Sequence, residues 1–220
     1  LGFEVNEGEY KVMGLASYGQ PRYADVVRRM ISRTADGAFA LDLSYFDYHT
    51  TARRSFSNKL IDALGPPRSP FQPIDLDTPE GMRYADIAAS VQRVLEDLLV
   101  EMTRELQQRT GLRDLCLGGG VALNGCANAR ILRESGFDNL FVPPAPGDAG
   151  CALGAALYAD RIYFAQPDRA VQDHPYFGPD LEPQELSRIA AEDGLTSERA
   201  ADGADLCARV ADALWQGRIV

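Results

Sequence analysis

The stretch Leu115–Ala156, LCLGGGVALNGCANARILRESGFDNLFVPPAPGDAGCALGAA, constrains this chain more than any other. A short apolar run, Leu115-Cys116-Leu117, breaks on Gly118, Gly119 and Gly120, and a helix-patterned segment follows through Asn124 to Glu134. The unit then repeats, with Leu140-Phe141-Val142 as a second strand, Pro143, Pro144 and Pro146 as a rigid turn, and Asp148 opening a small-residue helix. Two successive strand–turn–helix units predict an α/β fold with parallel strands and a site at their carboxyl ends. A glycine turn between strand and helix suits an anion. Without a Cβ the backbone N–H groups approach closely, and the first helical turn adds unpaired donors and the positive dipole end. The plainer reading is a tight βα turn in an α/β core.

Two common glycine motifs do not fit. The dinucleotide pattern G-x-G-x-x-G takes Gly118 and Gly120 but meets Leu123 at its third glycine. The phosphate-loop pattern takes Gly120 and Gly125, then finds Cys126 and Ala127 in place of lysine and serine or threonine.

The strongest helix expectation runs from about Thr78 to Thr110. Ala85, Ala88, Val91, Leu95, Leu98, Met102 and Leu106 recur at three- and four-residue steps, Thr78 or Asp77 can cap, Pro79 suits the first turn, and Gly111 ends it. This stripe reads as core packing beneath the strand at Leu115. Upstream, EVNEGEYKVMGLASYGQP closes on a turn at Gly19-Gln20-Pro21. Its Lys11 reads either as part of a solvated charge cluster or, with Tyr18, as a group brought toward a ligand. A short helix is expected over 24–33, a hairpin or extended segment around Phe39 and Leu41, and a break at Gly65–Pro70. Residues 20–80 read as an insertion. After Phe164 the composition shifts, with short helices around Leu186 and around Leu206 to Leu214.

With 22 basic against 32 acidic residues, the formal charge of the 220-residue chain is −10, which argues against a nucleic-acid partner. Four cysteines without a C-x-x-C pair read as reduced, mostly buried residues of a cytoplasmic protein, and no apolar run is long enough to cross a membrane. The chain starts on Leu1 and stops on an apolar run, so it reads as a piece of a longer protein whose open strand edge favours self-association into a homo-oligomer.

CLGGGVALNGCANARIL, FVPPAPGDAGCALGAALYA and EGEYKVMGLASYG together resemble the O-carbamoyltransferases of the nodulation-factor and antibiotic-tailoring type. That resemblance implies a duplicated RNase H-like fold, shared with actin and sugar kinases. Residues 1–165 would then be the second half of the ATP-binding domain, and residues 166–220 a linker and the start of a C-terminal domain, with WQGRIV as its first strand. It further implies ATP and a divalent metal, expected to be iron, as cofactors. Carbamoyl phosphate and a small-molecule hydroxyl acceptor would be the partners, with carbamoyl-adenylate between them. Gly118, Gly119, Gly120, Asn124 and Gly147 would then contact the nucleotide. Asn124 is equally well explained as a brace of the turn. Asp148 is explained as a helix cap or, through the family's D-x-G motif, as a metal ligand. The family's H-x-x-x-H pair is missing here, since His49 and His174 are the two histidines. A sugar-kinase-like phosphotransferase and a non-catalytic nucleotide-binding module remain alternatives.

Overall fold

Thr78 begins the element around which the rest is arranged. Its hydroxyl accepts the Gly81 N–H at 3.1 Å, Pro79 occupies the first turn, and the helix α4 (Pro79–Thr110) ends on Gly111 in the left-handed region at φ 66°. The computed structural model describes residues 1–51, 54–167, 181–196 and 198–218, and divides into Leu1–Val171 and Gln172–Val220.

In the first unit, α1 (Glu9–Ala16), α2 (Ala24–Arg28) and α5 (Gly125–Glu134) all pack against α4. The helix is therefore buried on several sides, and Tyr84 to Ser90 form an unbroken buried run. The expected single stripe is corrected accordingly: Val91 and Leu106 are exposed, while Val94 and Val100 are buried. Two buried polar side chains, Asp86 and Ser90, hold the approaching chain. Asp86 Oδ1 accepts the Gln20 N–H at 2.7 Å and Ser90 Oγ accepts the Tyr23 N–H at 2.9 Å, so neither is left unsatisfied. Gly19 lies so close that a Cβ there would overlap the Ala85 carbonyl.

The helix expected over 24–33 stops at Arg28, because Ile31 enters strand β1 (Ile31–Arg33) and pairs with Leu41 of β2 (Phe39–Leu41) in an antiparallel hairpin. Val27, Val94 and Leu98 join α2 to α4 in one small core. A 3-10 turn (Leu43–Tyr45) and α3 (Asn58–Leu64) follow, and α3 ends on Gly65 before the proline-rich break.

The second core lies under the parallel pair β3 (Asp114–Cys116) and β4 (Asn139–Phe141), which register Leu115 against Leu140. Val100 of α4, Leu115 of β3, Ile131 of α5 and Phe137 make this cluster. The mixed α/β architecture with parallel strands agrees with the sequence reading. Alternation along β3 buries Leu115 and turns Cys116 outward. Cys126, Cys151 and Cys207 are exposed as well, so the expectation of mostly buried cysteines is overturned.

The small-residue helix α6 (Gly150–Tyr158), continued by a π-helical turn (Ala159–Tyr163), buries none of its residues among the described elements. The close packing expected of it is absent there. In the second unit, α7 (Pro183–Glu192) and α8 (Gly203–Trp215) form where expected. WQGRIV does not begin as a strand: Trp215 ends α8, and Gly217 at φ 72° lets Gly217 and Arg218 donate back to Leu214 and Ala213. Ile219, Val220 and His174 lie outside the described residues. Among those residues no helix is long and apolar enough to cross a membrane.

Candidate functional site: a glycine turn between strand and helix

The chain leaves β3 through Leu117, whose N–H still bonds the Phe141 carbonyl at 2.9 Å, and enters the three glycines. Gly119 adopts φ 95°, a conformation that favours glycine, and its N–H donates to the Pro146 carbonyl at 2.7 Å. That bond draws together the ends of both strand–turn–helix units. A Cβ built on Gly147 would stand 3.8 Å from Gly120 Cα, so the second turn lies directly against the first. Of the residues singled out in the sequence, the fold thus joins Gly118, Gly119, Gly120 and Gly147.

The N–H groups of Gly118 and Gly120 have no hydrogen-bond partner among the described residues. A Cβ on Gly118, Gly119 or Gly120 would meet nothing within 4 Å, so there is open space beside each of the three glycines. Two unpartnered backbone donors on a turn whose glycines have room beside them fit a phosphate group. A 3-10 turn (Gly120–Leu123) then leads into α5 and does not continue it smoothly, so the helix starts one turn later than the glycines.

Asn124 is the N-cap of α5. Its Oδ1 accepts the Ala127 N–H at 3.0 Å, and its amide forms a reciprocal pair with Gln92 of α4, at 2.9 and 3.0 Å. The bracing role expected of it is therefore observed, and one Nδ2 proton remains for another partner. Asn128, one turn on, donates to the Ala122 carbonyl at 2.7 Å and holds the 3-10 turn from the helix side.

Asp148 is not a helix cap. Ala149 occupies that position without a side-chain bond, while the Gly147 and Asp148 carbonyls accept from Gly150 and Cys151 at 3.0 Å. Backbone turns satisfy the donors, so the Asp148 carboxylate is exposed and uncommitted to α6. Among the described residues no three His, Cys, Asp or Glu side chains cluster as a metal site, so the residues present do not make one with Asp148 alone. His49 is exposed and stacks edge-on against Tyr48 at 5.7 Å. Lys11 lies over its own neighbour, Tyr10, at 5.7 Å, and no bond joins it to the glycine turn.

Sequence reasoning missed the polar seam that supports this site. Gln92 Nε2 also donates to Glu96 at 2.7 Å, and Arg130 of α5 meets Glu96 at 3.5 Å, Asp97 at 2.6 Å and Glu134 at 2.9 Å. The bond to Glu134, then the Asp97 carboxylate, raises the Arg130 pKa and keeps it charged. The visible signal was spacing, since Gln92 and Glu96, like Asn124 and Asn128, stand four residues apart and share a helix face.

A family model described as "Carbamoyltransferase N-terminus" matches residues 1–157, a span that includes α4, the glycine turn and Asp148. The chain belongs to that family. It is similar to the uncharacterized protein sll1178 of Synechocystis sp., 42% identical over 192 residues, covering 84% of the chain and 30% of the relative. Nodulation protein NolO of Bradyrhizobium diazoefficiens is 32% identical over 216 residues, covering 96% of the chain and 36% of the relative. Nodulation protein NolNO of Sinorhizobium fredii is 32% identical over 185 residues, 82% of the chain and 24% of the relative. The chain therefore spans only 24% to 36% of the length of these curated relatives.

Proposed function

We propose that this chain supplies part of the nucleotide-binding domain of an O-carbamoyltransferase. The whole enzyme would move a carbamoyl group from carbamoyl phosphate, through carbamoyl-adenylate made with ATP, to the hydroxyl of a small molecule. The observation that carries this reading is the pair of unpartnered N–H groups at Gly118 and Gly120, on a turn with open space where a Cβ of either glycine would stand.

ATP, when bound, supplies the adenylyl group that activates the carbamate. The chain's own residues bind and orient it. Gly118 and Gly120 donate backbone N–H groups to phosphate oxygens, and Gly119 fixes the turn through Pro146. Gly147 leaves room beside Gly120, and the remaining Nδ2 proton of Asn124 is available to ribose or base. Asp148 is the candidate ligand for a divalent cation, iron on the family resemblance. It is a single ligand where a tight site needs several, and no cluster of three such groups surrounds it among the described residues. The β3–α5 and β4–α6 units suit the second half of a duplicated RNase H-like domain, with residues 20–80 inserted and a C-terminal domain entered after residue 165. The net charge of −10 favours small substrates over nucleic acid, in a cytoplasmic enzyme.

The test is calorimetry with ATP on the complete protein. Gly118 is not in the left-handed region and has open space around it, so Gly118→Val should leave the melting temperature nearly unchanged. The same change should lower ATP affinity about tenfold or more by filling the cradle. Unchanged ATP affinity in the folded variant would sink the assignment. Pyrophosphate release that needs carbamoyl phosphate supports carbamoyl transfer, whereas ADP release without it would mark a phosphotransferase.

A further inference from the structure

Gln92 lies on α4, far in sequence from the glycine turn, yet its amide closes both hydrogen bonds of the reciprocal pair with Asn124. Its second N–H goes to Glu96 at 2.7 Å, and Glu96 is held in turn by Arg130 at 3.5 Å. The Gln92 side chain is thus fixed from below by a charged network and presents a set orientation to Asn124. Asn124 caps α5 and ends the 3-10 turn that follows Gly120, its own N–H bonding the Val121 carbonyl at 3.0 Å. The turn is therefore held on three sides: by Pro146 at Gly119, by Asn128 at Ala122, and by the Gln92 pair at Asn124.

We infer that Gln92 is a positioning residue for the glycine turn, setting the direction of the free Gly118 and Gly120 N–H groups through Asn124 and so tuning ATP affinity. This rests on the nucleotide-binding reading above. Removing the Gln92 amide leaves the Asn124 carboxamide held by its cap bond to Ala127 alone, one hydrogen bond in place of three, and so loosens its hold on the turn. A donor that must meet a phosphate oxygen within tenths of an ångström loses most when its support is loosened.

The experiment compares Gln92→Ala with Arg104→Ala in the complete protein. Arg104 also bridges the two helices, through the Glu134 carbonyl at 3.0 Å, but at the end of the seam away from the turn. Hydrogen exchange read at Gly119 and Ala122, without any nucleotide, should quicken about tenfold in Gln92→Ala and stay at the wild-type rate in Arg104→Ala. With ATP, Gln92→Ala should raise KM for ATP about tenfold, with KM for carbamoyl phosphate within twofold of wild type and a melting temperature like that of Arg104→Ala. Equal exchange at the turn in both variants, or a fall in melting temperature with no change at the turn, would overturn the positioning role. Faster exchange at the turn in a protein whose wild type binds no ATP would instead leave Gln92 as the support of the turn and remove the nucleotide reading.

Discussion

The Asp42 carboxyl is held at about 2, first by the Ser44 hydroxyl, then by Lys59 and the Ser44 N–H. A carboxyl depressed in the fold stabilises it fully above its ordinary value of 3.8, and that contribution is lost as the pH falls from there toward 2. Following the Asp42 carboxyl by NMR titration, Ser44→Ala should raise its pKa more than Lys59→Met does. The reverse order would mean that charge, not the local hydrogen bond, sets the value. Residue chemistry of this kind was partly legible in the letters. Three glycines between a strand and a helix announced a turn that brings backbone donors forward. Asp148 announced a cap and is none, because carbonyls of its own loop take the donors that a cap would serve. The bracing role of Asn124 rests on Gln92, which is distant in sequence and gave no local signal of the pairing. The cysteines misled because burial is a property of the faces that a neighbour covers, and Cys116 points to the uncovered side of β3.

At the scale of elements, α4 was legible from its cap, its first-turn proline and its terminal glycine, which are local signals. Its packing was not, because a helix touched by α1, α2 and α5 buries residues off any single stripe. The small Ala85 and Ala88, both fully buried, let α1 and the following turn come close. Gly19 is where that approach is tightest, its neighbours being backbone atoms of Ala85 and Asp86 that cannot swing aside. Gly19→Ala should therefore cost about 3 kcal/mol in urea unfolding, the upper end for an overpacked contact. Gly14→Ala, within α1 and with nothing within 4 Å of its Cβ, should be neutral or stabilising. A Gly19 variant as stable as the parent would mean that α1 does not seat on α4 as described.

At the scale of the molecule, the described residues expose much apolar surface for their number. Phe71 is 96%, Tyr163 80% and Trp215 90% exposed, and α6, built almost wholly of apolar and small residues, buries none of them. Surface of this kind is rarely left to water. The isolated 220-residue chain is therefore expected to self-associate, with a sedimentation coefficient that rises with concentration and falls back in mild detergent. A monomer across the micromolar range would contradict this. Whole-molecule properties were the least legible in the sequence, since periodicity reports that a face is apolar and says nothing of what lies against it.

The bond from Gly119 to the Pro146 carbonyl also has a meaning in time. On a ribosome the glycine turn emerges before the residue that locks it, with α5 and β4 made in between. The Gln92 partner is already waiting on α4 when Asn124 appears, but Pro146 arrives on the order of seconds later at ordinary elongation rates. Until Pro146 emerges, the Gly119 N–H lacks the acceptor that closes the turn in the folded chain. The turn thus takes its last bond from a segment that the glycines themselves do not encode.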